Sequence, residues 1–242
     1  MQIIYKTIST LIAENSANGR VLHRLGVDFE MYYHQTLLEV CEVFKWNQTA
    51  ILKALELEKI NAKLTYGELK KRSLGQLMAY LKHSHVIFIK EYLPYIGILI
   101  DKLKGPGPLI KDLKLVFPLF FEDFVTHIHE EEDGLFDYVK ILVRMEQGKV
   151  INPIKKLYFL RDINLEASAL GHKDENEMES MRALVAELPE TEFMMGLVKK
   201  EFQLFDELLR FHARVEDQLF FPKSIVLEKK IWAEIDRYSA DN

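Results

Sequence analysis

Residues 124 to 136 read FVTHIHEEEDGLF, two histidines and four acids in a stretch whose other residues have helical spacing. Near the C-terminus LLRFHARVEDQLFFP repeats the core of that arrangement. His127 is followed four residues on by Glu131, and His212 by Glu216; a bulky pair then follows each, Leu135-Phe136 and Phe220-Phe221. Side chains four apart lie one above the other on a helix, so each pair offers an imidazole nitrogen and a carboxylate to the same point in space. Imidazole with carboxylate is a donor set for iron, manganese or zinc, whereas calcium or magnesium would take oxygen alone.

Helical phase selects which polar groups face inward. Phe117, Phe120, Phe124, Leu135 and Tyr138 share the face of His127 and Glu131. His129 shares its face with Glu122, Val125, Thr126, Glu132 and Asp133, a wet surface, so His129 and the remaining acids are expected to point outward. In LKHSHVIF, His85 continues a stripe of Leu74, Met78, Leu81, Phe88 and Tyr92, while His83 has the less consistent neighbours Ala79, Tyr80, Ile87 and Lys90. His212 follows Phe205, Leu208 and Leu209 on one face. A further histidine, His172 in SALGHKDENEMESM, precedes His212 by nearly the distance at which His85 precedes His127. Its surroundings are polar, and Gly171 beside it weakens the helix.

Two similar halves therefore emerge, each a histidine helix followed by a His-x-x-x-Glu helix. A buried carboxylate without a partner is costly. Two of them among four histidines are offset by divalent cations. Four nitrogens and two carboxylates exceed the needs of one tetrahedral ion and suit two metals, each with two histidines, bridged by Glu131 and Glu216.

Long helices must carry these groups. Glycine and proline are scarce, 11 and 7 in 242 residues, and apolar residues recur at three- and four-residue steps between them. The expected fold is all-α. Residues 1–60 form a small helical N-terminal domain with apolar faces in TLLEVCEVF and QTAILKALELEKI, residues 61–73 (NAKLTYGELKKRS) form a linker, and residues 74–242 form an antiparallel four-helix bundle. LKGPGPL separates the first long helix from the second, a less regular stretch from Gly148 to Arg161 leads to the third, and Leu188-Pro189 lies near the last join.

Composition narrows the function classes. Hydrophobic residues make up 48% and charged residues 29%, enough to bury a substantial core. A net charge of −5 with both signs interspersed lacks the basic stripe of a nucleic-acid binder. The single cysteine, Cys41, sits among Leu37, Leu38, Val40 and Phe44 and reads as core packing; one thiol cannot form an internal disulfide or a cysteine metal site. No run reaches the roughly 18 apolar residues of a membrane span, and MQIIYKTIST lacks the pattern of a signal peptide. The expected location is cytoplasmic.

HIHEEEDGLF, HARVEDQLFFP and HSHVIFIKEYLP together resemble the hemerythrin-like cation-binding domain. More specifically they are similar to the bacterial di-iron proteins that repair iron–sulfur clusters after oxidative or nitrosative damage. The resemblance covers about residues 74–242. It implies two iron ions held by His85, His127, Glu131, His172, His212 and Glu216, with the two glutamates bridging. VLHRLGVDFEMYYHQTLLEVCE is similar in outline to the small helical domain that precedes the bundle in that family. Where the family has a cysteine pair this chain has Glu30 and Met31, and Tyr32-Tyr33 replace its glycines, so thiol chemistry is not implied. The stretch from His85 to Leu93-Pro94 is also one residue longer than in the repair proteins, as in a relative within the wider hemerythrin-like group.

The function so implied is that of a non-haem di-iron protein of the nitrosative and oxidative stress response, engaged in iron–sulfur cluster repair or in handling nitric oxide, oxygen or peroxide. Damaged iron–sulfur proteins would be its partners, with no role for nucleic acid or membrane. The alternative is a reversible oxygen carrier or sensor. Classical hemerythrins use five histidines with two carboxylates, and this chain has four in phase. An interaction module without metal is the third possibility.

Overall fold

Three helices announce their starts with a hydroxyl followed three residues later by Glu or Gln. Thr36 with Glu39, Thr65 with Glu68 and Ser73 with Gln76 each form a reciprocal capping box, in which side chain and backbone satisfy one another's free N–H groups. The computed structural model describes residues 2–28, 31–60, 64–149, 165, 174–190 and 192–240. Among them the chain is helical, and the extended backbone is confined to connections such as the antiparallel bridge between Thr7 and Thr36.

The N-terminal part holds α1 (Ile8–Glu14), α2 (Ala17–Arg24), α3 (Leu37–Val43) and α4 (Gln48–Ile60), followed by the short α5 (Tyr66–Lys70). Beyond it run three long helical rods, each with a π-helical turn inserted. The first is α6 (Leu74–Ile87), a π segment at Phe88–Tyr92 and α7 (Leu93–Asp101). The second is α8 (Pro108–Glu130), a π segment at Glu131–Phe136 and α9 (Asp137–Glu146). After α10 (Asp174–Ala186) comes the third, α11 (Phe193–Val215), a π segment at Glu216–Phe220 and α12 (Phe221–Ala240). Packed pairs are α7 with α8 and α11, α10 with α8 and α11, α9 with α6 and α12. No helix among the described residues is long and apolar enough to cross a membrane.

Two apolar clusters fill the interior. One joins residues of the N-terminal helices (Ile8, Leu11, Leu22, Val40, Cys41, Leu55) to Leu93, Ile96, Phe117, Phe124, Phe202 and Phe205. Cys41 is buried there, and burial, then Glu42, raises its thiol above the ordinary value, consistent with packing. The other contains Leu69, Leu81, Phe136, Tyr138, Val215, Phe220 and Phe221. Each rod passes from one cluster to the other. The crossing lies between Leu81 and Phe88, between Ile128 and Leu135, and between Leu209 and Val215. The polar residues singled out by phase, His85, Glu131 and His212, fall at those three crossings.

Candidate metal centre

Pro94 and Pro222 lie two residues beyond the ends of the first and third π segments. A proline inside a helix cannot donate to the carbonyl four residues back, and its ring crowds that carbonyl. A wider turn immediately before it relieves the conflict, and π turns of this kind concentrate at functional sites. The second segment has no proline but contains Gly134. Two of the three begin at a candidate ligand, Glu131 and Glu216, and the first begins three residues after His85.

Around the starts of these turns four side chains come together. One ligand atom from each of His85, Glu131, His212 and Glu216 lies within 4.8 Å of every other. All four residues are buried, at 2, 7, 4 and 2% exposure. His85 Nε2 lies 3.1 Å from His212 Nε2 and 3.5 Å from Glu131 Oε2, and His212 Nε2 lies 3.1 Å from Glu216 Oε1. The walls are aromatic. His85 stacks parallel to Phe136 at 5.6 Å between centroids, and Phe88 meets His212 edge-on at 5.5 Å.

The electrostatics are those of a site that wants positive charge. Burial first, then the charge of Glu216 and a hydrogen bond with it, push the Glu131 carboxyl well above the ordinary carboxylate value. That hydrogen bond between two carboxyl groups requires a proton on one of them. Glu131 Oε1 is buried with no hydrogen-bond partner. Burial and the neighbouring His212 push His85 down to about 4, so its ring is neutral near pH 7. Two imidazole nitrogens and two carboxylates facing one point fit a divalent cation, whose charge would replace the shared proton and satisfy the orphaned oxygen.

Four of the six residues expected as ligands are thus assembled. His127 is half-buried and lies beside the group, close enough for its charge to act on both Glu131 and His85. His172 lies outside the described residues. The choice by phase of His85 over His83 agrees with burial, since His83 is exposed; so is His129.

One residue expected on the wet face is not there. Glu132 Oε1 lies 2.9 Å from His85 Nδ1, and its other oxygen accepts from Lys82 Nζ at 3.1 Å. Burial alone would raise the Glu132 carboxyl, but the bonds from His85 and Lys82 outweigh it and hold it below the ordinary value. Glu132 lies one turn after the buried Ile128, so its face borders the interior, and its side chain reaches His85 and Lys82 on α6 from there. A second feature outside the reach of local phase is the buried ion pair of Arg20 on α2 with Glu201 on α11.

Compared with models of known protein families and with curated proteins, the chain matches none.

Proposed function

We propose that the chain is a hemerythrin-like non-haem di-iron protein that handles nitric oxide, oxygen or peroxide in the response to nitrosative and oxidative stress, with iron–sulfur cluster repair as its setting. The observation that carries the reading is the buried quartet of His85, Glu131, His212 and Glu216, brought together at π turns between two apolar clusters. An antiparallel four-helix bundle is the arrangement we infer for the three rods and α10, and their pairwise packing supports it.

In this reading His85, His212, Glu131 and Glu216 would hold the iron, with His127 and His172 completing the set. Iron, when bound, supplies coordination positions that a small diatomic molecule or peroxide can take. The chain's own contribution is to hold the donors and keep water out. Phe88 and Phe136 flank the two imidazoles, and burial keeps His85 neutral and ready to coordinate. Glu131 gains from a bound cation, whose charge would offset both its burial and its repulsion with Glu216.

Elemental analysis and an optical spectrum of protein reconstituted with ferrous iron test the reading. Two irons per chain are expected, and fewer than one would overturn it. Titration of the reduced protein with nitric oxide and with oxygen then separates stress chemistry from oxygen carriage. Fully reversible oxygen binding without reaction would favour the carrier.

A further inference from the structure

We propose that Glu132 is the positioning residue of this centre: it grips the His85 ring by Nδ1, so that Nε2 alone is presented to the cation. The inference rests on the reading of the quartet as a metal centre. A carboxylate oxygen can only accept, so at 2.9 Å from Glu132 Oε1 the His85 Nδ1 must carry the proton. Neutral imidazole has one donor and one acceptor nitrogen. Nε2 is then left with a lone pair, and it is Nε2 that lies beside His212 and Glu131. In the metal-free protein the proton between the two histidine Nε2 atoms therefore belongs to His212.

The grip is itself held. Lys82, one turn before His85 on α6, donates to Glu132 Oε2, and its ammonium sits 5.6 Å above the Phe136 ring. Phe136, four residues after Glu132, lies within 3° of parallel to the His85 ring. Rotation of the imidazole would break the bond to Glu132 and the stack on Phe136 together. Glu132 is half-buried, with 27% of its side chain exposed, so it reaches the ligand from the edge of the site while both Glu131 and Glu216 lie inside. A partner carboxylate on the far nitrogen of a ligating histidine fixes its tautomer and raises its basicity.

The test uses the full chain and cobalt(II) as probe, with Glu132→Ala and Glu132→Gln compared against wild type. Imidazole nitrogen NMR of the metal-free proteins reads the His85 tautomer, and competition with a chelator reads cobalt affinity. Wild type should show a single Nδ1–H tautomer at His85. Glu132→Ala should lose it and bind cobalt roughly 10–100-fold more weakly, with unchanged stoichiometry. Glu132→Gln should keep the tautomer and recover most of the affinity, because its amide oxygen still accepts from Nδ1–H. Unchanged tautomer and affinity in Glu132→Ala would overturn the proposal, as would equal losses in the two variants, which would mark a simple effect of charge. A wild type that binds no cobalt overturns the metal centre, and the tautomer spectra then still decide whether Glu132 orients the ring. Circular dichroism confirms that each variant is folded.

Discussion

Truncating Glu201 to alanine strands a buried guanidinium. Glu201 is 0% exposed and Arg20 8%, their side chains are hydrogen-bonded across 181 residues of sequence, and the Arg20 guanidinium lies 4.3 Å from the centre of the Tyr92 ring. Removing one member of a buried ion pair costs about 3–5 kcal/mol, because the remaining charge is left in a medium that solvates it poorly. For a chain of this length each kcal/mol lowers the melting temperature by about 2–4 °C, so Glu201→Ala should melt about 6–20 °C below wild type. The pair as a whole contributes far less, since burying two charges costs about as much as their attraction returns. Arg20→Met combined with Glu201→Leu should therefore lie within about 2 kcal/mol of wild type, well above either single variant. Urea and thermal unfolding followed by circular dichroism, on chelator-treated protein so that bound cation does not mask the change, would measure all four corners of the cycle. A loss under about 1 kcal/mol in Glu201→Ala would show that water reaches the pair. A double variant as unstable as the singles would show that the site needs the charges, against the reasoning.

At the metal centre, His85→Ala should abolish tight cation binding and His83→Ala should leave it intact, because one is buried in the quartet and the other faces solvent; equal loss on chelator competition would refute the assignment. The metal-free protein should respond to pH in two opposite senses. Glu131, whose carboxyl is raised in the folded state, contributes stability that is complete below 4.5 and is lost as pH rises from there. His85, lowered from 6.5 to about 4, contributes stability present above pH 6.5 and lost as pH falls through about 4. Glu131→Gln should consequently gain on the metal-free wild type progressively as pH rises above 4.5 while binding cations less tightly. Melting curves that stay parallel across that range would refute a buried Glu131.

What could be read from the sequence was what depends on local periodicity. The apolar stripe around His85 separates it from His83 two residues away, whereas the capping boxes at Thr65 and Ser73 lie in the stretch read as a linker, where α5 forms. His-x-x-x-Glu is a one-turn pattern, and the pairing of His212 with Glu216 is contained in it. Those signals survive because a helix fixes side-chain direction from residue number alone.

The tertiary structure decided whatever breaks that rule or joins distant segments. Pro94 and Pro222 are visible in the sequence, but that the chain answers them with a wider turn, continuing as a rod, depends on packing against its neighbours on both sides. Glu132, one turn after the buried Ile128, meets His85 only because α6 packs alongside, so a residue read as solvated becomes part of the site. Arg20 and Glu201 show no mutual signal along the chain; they meet where α2 and α11 both pack on the π segment at Phe88–Tyr92. Periodicity tells a side chain which way to face; what it meets there is set by the other helices.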